Sequence, residues 1–473
     1  MTNNQPTILY LTSQFTPPHT AAALRAENFT LALRHAGFSL LVATVAPDPA
    51  VKKISDNLTL CCVSPAGRLP PRLNRINLPR WPLCRPLPGP APQSKSTKAL
   101  FRLCSLLILD YHPDLIFATA PPFSLSAVAH RLAQTCRLPL VLEFRDAWFT
   151  QMPWPYAHFL QRRAARSWER RCVLDADRII TVTDTHRRIL LDAYGPDLAP
   201  KITTVRHGFT PLTTLRSTLR STSETPPAAE KTDRTPNDSD RTFTIAYTGQ
   251  LRGIDIASLS PVQRAFQTLN HALRRLLLGA RFCEQLHLEW MSPHFLLAAL
   301  AAAAQQNPLF ARSVRLVFVG EKFPQIDNWA RRLNLTPNVS QLGPLPHDLT
   351  QNIARQADLL ILSLYGIKNC PYHWCVPSKI YSYLATGKPI LALVPPGEAA
   401  DLVTQAAVGR LCLPHQVPDI TQHLLQLFHQ HQNQGIPLNP DWNFINRFQL
   451  PRQQKILIDT ITSLFHSSEG AIL

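Results

Sequence analysis

The stretch from Thr210 to Arg241, "TPLTTLRSTLRSTSETPPAAEKTDRTPNDSDR", limits what this chain can fold into more than any other. It has no aromatic residue and is rich in Thr, Ser, Pro and charge. Such a segment buries too little apolar surface to offset the entropy of ordering, so it reads as a mobile linker. It separates two regions that share one pattern. Before it come the apolar runs "TILYLTS", "SLLVATV", "DLIFATA", "LPLVLEF", "DRIITVT" and "KITTVRHG". After it come "TFTIAYTG", "VRLVFVG", "VSQLG", "ADLLILSL" and "KPILALV". Helical stretches separate these runs, as in "AALRAENFTLALRHAG", which closes on Gly37. Continuous apolar strands alternating with helices predict a parallel sheet covered on both faces.

The fold class expected is therefore α/β, with two doubly wound domains. A chain of 473 residues also exceeds one ordinary core. The boundaries expected are 1–208 for the first domain, 209–241 for the linker and 242–440 for the second domain. The remainder, 441–473, contains "DWNFINRFQLPRQQKILIDTITSLF", a helical segment broken or kinked near Pro451 and expected to pack back on the first domain. Two such domains set the carboxyl ends of two sheets across a cleft, where ligands bind in folds of this kind.

Charge and cysteine usage narrow the function. Lys and Arg outnumber Asp and Glu 48 to 31, a formal net charge of +17, which favours anionic partners. No nucleic-acid-binding motif accompanies it, so a nucleic-acid partner is not expected. Much of the basicity sits in one Pro-rich stretch, 67–98, "GRLPPRLNRINLPRWPLCRPLPGPAPQSKSTK", with Trp81 and several aliphatic residues interleaved. That composition suits either an anionic membrane surface or a long solvated loop. The ten cysteines include no CxxC and no zinc-like quartet. With "MTNNQPTILYL" leading straight into a strand, a cytoplasmic setting with buried thiols is expected. The longest apolar run, "HFLLAALAAAA" from His294 to Ala304, is too short to span a bilayer and reads as a core helix.

Candidate chemistry concentrates in "VPSKIYSYLATGKPILALVPPGEAADL", Val376 to Leu402. Pro377 suits the first turn of a helix, whose free N–H groups favour a diphosphate. Lys379 adds a formal charge there. Ser378 and Ser382, four residues apart, offer hydroxyls on one helical face. Glu398 follows "PPG" and either approaches sugar hydroxyls or offsets a helix dipole. In the first domain, "EFRDAW" puts Glu143, Arg145 and Asp146 at the carboxyl end of a central strand. There Asp146 or Glu143 can orient an acceptor hydroxyl or take its proton, or an Arg–Asp pair ties neighbouring strands. Arg25 reaches an anion or is a surface arginine. His207 reads as structural.

The order of these pieces resembles glycosyltransferase family 4, whose members have the GT-B architecture. The match is strongest over "VPSKIYSYLATGKPILALVPPGEAADLV", supported by "VLEFRDAW", "ADRIITVTD", "VRHGF", "AYTGQL" and "GPLPHDLTQNIARQADLLILSL". The resemblance implies an acceptor held by the first domain, a nucleotide-sugar donor in the second, and a product that keeps the anomeric configuration. It implies no metal and no cofactor beyond the nucleotide-sugar co-substrate. Two segments depart from the family pattern. Ser382 stands where a Glu usually binds the ribose, and Trp374 where an earlier Glu is frequent. In the opening loop of the second domain, Gly249 is followed by Gln250 where Arg is usual and by Asp255 where Lys is usual, with Arg252 the nearest substitute. Thr20, in a first-domain loop that is glycine-rich in the family, lies near donor phosphates and acceptor by this resemblance. The function implied is transfer of a sugar from a nucleotide diphosphate to a lipid-linked or polysaccharide acceptor in cell-surface glycan synthesis, peripheral on the inner face of the membrane. The alternatives are a degenerate protein that binds sugar or a partner without turnover, and a nucleotide-sugar epimerase.

Overall fold

A computed structural model describes residues 5–15, 20–71, 95–152, 159–211, 241–251, 286–433 and 435–466. Among these, the chain forms two compact units: residues before Gly208 together with those from Pro451 on, and Gly208 to Leu450.

The first unit carries β1 (Thr7–Leu11), β2 (Ser39–Val45), β3 (Ala50–Ser55), β4 (Leu58–Val63), β5 (Leu115–Ala120), β6 (Leu140–Phe144), β7 (Arg178–Thr181) and β8 (Ile202–Thr204). Their order in the sheet is β3-β4-β2-β1-β5-β6-β7-β8, parallel except where β3 runs against β4. Helices α1 (Ala21–His35), α2 (Lys95–Tyr111), α3 (Ser124–Cys136), α4 (Phe159–Asp175) and α5 (Asp184–Tyr194) connect the strands. Because successive strand residues face opposite sides, β1 feeds two cores. Leu9 and Leu11 join Leu103, Leu107, Val128 and Leu132 on one face. Ile8 and Tyr10 join Phe29 and Leu33 on the other. The closing helix, Leu450–His466, completes that second core with Leu457 and Ile461, both 0% exposed. The unit takes it up at Pro451 rather than at 441, and Pro451 sits in the helix's first turn.

The β3–β4 hairpin was not expected from the sequence. Its edge strand "AVKKIS" is exposed and carries Lys52 and Lys53, a device that blunts a sheet edge, so it lacks the continuous apolar run of its neighbours.

The second unit carries β9 (Phe243–Thr248), β10 (Leu286–His287), β11 (Val314–Val319), β12 (Val339–Gly343), β13 (Leu359–Ser363), β14 (Gly366–Ile367), β15 (Ile390–Leu393) and β16 (Gly409–Cys412). Six of these form one parallel sheet, β12-β11-β9-β13-β15-β16, and β10 pairs antiparallel with β14. Its helices are α6 (His294–Gln306), α7 (Pro308–Ser313), α8 (Pro324–Arg332), α9 (His347–Gln356), α10 (Lys379–Leu384), α11 (Glu398–Gln405), α12 (Val417–Asn433) and α13 (Trp442–Ile445). The apolar run after His294 forms α6, and its Leu296, Leu297 and Leu300 pack with Leu424 and Phe428 of α12. No helix among the described residues is long and apolar enough to cross a membrane.

Both sheets reverse their winding once. The chain leaves β1 toward β2 and returns to add β5 on the other side; it leaves β9 toward β11 and returns to add β13. Ligands in doubly wound sheets bind at the carboxyl ends of strands at such switch points. The candidate residues cluster there in each unit. Residues 212–240 of the expected linker, 72–94 of the basic stretch, and Arg252 lie outside the described residues.

Candidate functional site

In the second unit the site is built around the end of β9. Thr248 closes the strand and Gly249 follows with φ +106°. The Tyr383 hydroxyl of α10 accepts from the Thr248 amide at 2.9 Å and lies 3.1 Å from its hydroxyl, which ties α10 to the strand end. One helical turn earlier, Lys379 lays its ammonium 3.7 Å from the centroid of the Tyr247 ring. A Cβ on Gly249 would stand 3.6 Å from the same nitrogen. The lysine's stem is partly exposed, but its ammonium is buried and has no hydrogen-bond partner among the described residues. Burial pushes its pKa down to about 8. The ring face supplies some attraction, yet no carboxylate among the described residues neutralises the charge. A buried cation without a counter-ion is costly, and an anionic ligand at the strand end removes that cost.

The loop before α11 meets the segment that leads into α10. His373 donates its amide to the Pro396 carbonyl at 2.8 Å, and its carbonyl accepts from the Glu398 amide at 3.1 Å. Gly397 has φ +155°, and a Cβ there would fall 2.3 Å from the His373 carbonyl oxygen, so only glycine allows the two backbones to meet. His373 is 1% exposed; Nδ1 accepts from the Cys375 amide at 3.2 Å, while buried Nε2 has no partner. Burial pushes its pKa down to about 4, so the ring is neutral at pH 7. Glu398 is buried at the start of α11. Ser378 and Ser382 are half-buried, and the Ser378 side chain makes no capping bond.

Pro377 departs from its expected place. The helix begins at Lys379 with Ser378 as its N-cap, so Pro377 precedes the first turn and contributes its carbonyl, which accepts from the Ile380 amide at 3.1 Å. Gln250 also differs: its side-chain amide donates to Glu321 at 3.1 Å on the exposed side of the loop.

In the first unit the ends of β1 and β6 hold a buried group of charges. Arg25, on the inner face of α1, pairs its Nε with Glu143 at 2.5 Å. Its other nitrogens donate to the carbonyls of Val205 at 2.6 Å and Arg206 at 3.1 Å. The expectation that Arg25 reaches an anion or lies at the surface is corrected: it is 4% exposed and closes β6 onto the segment after β8. Glu143 is corrected likewise. At 0% exposure, with one oxygen on Arg25, it cannot meet an acceptor hydroxyl. Its second oxygen and the Tyr10 hydroxyl are buried without partners. Burial and then the Glu143 charge hold the Tyr10 phenol well above its usual range. Burial, Arg25 and Arg145 hold His207 well below its own, leaving it neutral. Arg145 donates to the Thr119 hydroxyl at 3.1 Å and the Pro121 carbonyl at 2.8 Å. Asp146, one residue on, is exposed. Thr20 is the N-cap of α1: its hydroxyl accepts from the Ala23 amide at 3.1 Å and bonds Gln14 at 2.5 Å.

The comparisons with known proteins agree with this fold. The Glycosyl transferase 4-like domain family matches residues 20–208. Sucrose-phosphate synthase from Thermosynechococcus elongatus superimposes with a TM-score of 0.56 at 15% identity, covering 98% of this chain and 100% of that one. HepE from Anabaena, solved with UDP and glucose, gives 0.57 at 17%, covering 97% and 100%. This chain has the GT-B fold. The lipopolysaccharide outer core galactosyltransferase WaaB, in its apo form, gives 0.52 at 13%, covering 97% and 99%. No curated protein sequence matches the chain.

On this GT-B frame the structure brings Lys379 to Gly249 at one strand end, leaves Ser378 and Ser382 half-buried on the same short helix segment, and sets Glu398 at the start of α11. It keeps Asp146 exposed and places Glu143, Arg25 and Thr20 in structural roles. Sequence reading missed His373, Tyr383 and Tyr10. The only signal for His373 was its place just before "VPSK". Gly320, also unremarked, has φ +146°, and a Cβ there would lie 2.3 Å from the Gly249 carbonyl oxygen, so it admits the β9 loop to the end of β11.

Proposed function

We propose that this protein is a glycosyltransferase whose second unit binds a nucleotide diphosphate sugar and whose first unit presents an acceptor, lipid-linked or polysaccharide, for cell-surface glycan synthesis at the inner face of the membrane. The observation that carries the reading is the Lys379 ammonium, buried beside Gly249 and without a partner among the described residues. This ammonium is the first candidate cation for the donor diphosphate, where it would stabilise the charge that grows on the leaving group. Arg252 is the second candidate cation. Ser378 and Ser382 offer hydroxyls to phosphate or sugar, and Glu398 to sugar hydroxyls. Asp146 is the candidate to orient the acceptor hydroxyl. Retention of configuration and chemistry without a metal belong to the same proposal. HepE, with the same fold, was solved with UDP and glucose, which makes UDP the first nucleotide to try.

A second reading, binding without turnover, is favoured by one feature: Ser382 stands where a carboxylate would grip the ribose more strongly through a charge-assisted bond. Calorimetry with UDP, GDP and ADP, followed by assay of sugar release from the matching donor, separates the two. Lys379→Met removes a charge-assisted contact of about 1.5–3 kcal/mol, so affinity should fall roughly tenfold to a hundredfold. Binding without any release or transfer of sugar would favour the second reading. No nucleotide binding at all would overturn the first reading and favour the second, a degenerate protein that binds sugar or a partner.

A further inference from the structure

We propose that the outer face of α4 is the surface by which this protein lies on an anionic membrane. The helix "FLQRRAARSWERRCVLD" turns Ala165, Trp168 and Cys172 into the first unit, and its outer face ends at Arg170, because Val173 in the last turn is buried. At 3.6 residues per turn, Phe159, Arg162, Arg163, Arg166 and Arg170 fall within an arc of about 100° on the other side. All five are exposed, and that arc holds no acidic residue. The helix's two acids are engaged elsewhere: Glu169 is buried and accepts from Thr150, and Asp175 pairs with His130 at 2.7 Å. At the start of the helix, Phe159 and Leu160 are 72% and 73% exposed, the two largest exposures among the large apolar side chains described.

Charge complementarity selects an anionic partner, and the apolar pair selects which kind. A soluble polyanion makes no use of an exposed Phe–Leu step. A lipid interface takes both features, apolar side chains entering the headgroup boundary while arginines meet the anionic headgroups. This surface is separate from the basic stretch at 67–98 and does not rest on the donor reading, since none of its residues belongs to the candidate sites.

The test is co-sedimentation of the full chain with vesicles of phosphatidylglycerol and phosphatidylcholine, against phosphatidylcholine alone, at low and high salt. Heparin binding is measured in parallel, and circular dichroism confirms that each variant is folded. The parent should prefer anionic vesicles and release with salt. Arg163→Gln, Arg166→Gln and Arg170→Gln together should lower the vesicle partition coefficient by about a hundredfold. Phe159→Ser with Leu160→Ser should weaken vesicle binding while leaving heparin binding unchanged. Equal binding to both vesicle types, or parent-like partition in the arginine variant, would overturn the proposal. Parent-like vesicle binding by the Phe159/Leu160 variant would also overturn it and identify the face as a site for soluble polyanions.

Discussion

Glu143 and Lys379 are both charges withdrawn from water, and they differ in what answers them. Glu143 is paired to Arg25, which two carbonyls also hold. Removing one partner of a buried pair leaves an uncompensated charge, at a cost of about 3–5 kcal/mol. Arg25→Met should therefore destabilise the protein by about that much in denaturant unfolding. The double variant with Glu143→Leu should recover part of the loss, because the orphaned carboxylate is gone. Lys379 has no such partner among the described residues, and its pKa in the folded state, about 8, lies below the ordinary lysine value. Between those two values the unfolded chain holds more protons, so this group makes stability rise as pH climbs from about 8 toward 10.4. Lys379→Met should raise the melting temperature of the free protein at pH 7, and the rise with pH should be smaller than in the parent. A lower melting temperature at pH 7 would mean the ammonium is already satisfied. Both charges were candidate site residues in the sequence; Lys379 had the context of "PSKIYSYLATGKP", whereas the structural role of Glu143 was not legible. Arg25 and Glu143 are 118 positions apart, and nothing local in either segment announces their pairing.

At the scale of elements, single residues fix the loops that carry the candidate site residues. Glu169 of α4 accepts from the Thr150 amide at 2.9 Å, the Thr150 hydroxyl at 2.7 Å and the Tyr194 hydroxyl at 2.8 Å. It thereby pins the segment that follows Asp146. Burial raises its pKa even though these donors oppose the shift. Glu169→Ala should cost about 1–3 kcal/mol for each donor left buried and bare, read as a lowered denaturation midpoint. Gly397 does the same for the loop before Glu398: Gly397→Ala should push the loop from His373 and weaken nucleotide binding more than it lowers stability. The long parallel strands of both sheets were readable as continuous apolar runs bounded by glycines. The β3–β4 hairpin and β16 were not, since "AVKKIS" and "GRLC" lie at sheet edges with partly exposed residues and carry no such run.

For the molecule as a whole, the composition of the sequence implied two α/β bodies, and the fold has two separate parallel sheets. The return of the closing helix to the first unit is visible in Leu457 and Ile461, which share a core with Ile8 and Tyr10. Leu457→Ala should cost about 2–5 kcal/mol and lower the unfolding transition of the first unit while leaving nucleotide binding intact. The central claim is that the second unit holds a nucleotide diphosphate through Lys379. Its most direct test is the pH dependence of UDP affinity by calorimetry, from pH 7 to 10, in the parent and in Lys379→Met. The UDP terminal phosphate is fully ionised over this range, its second pKa being about 6 as for other phosphates. Only a protonated Lys379 can hold the diphosphate, so the parent's affinity should be level below about pH 8 and fall above it. The variant should bind roughly tenfold to a hundredfold more weakly at pH 7, with little change as pH rises. Equal affinity in parent and variant, or a parent profile flat across pH 8, would contradict the claim.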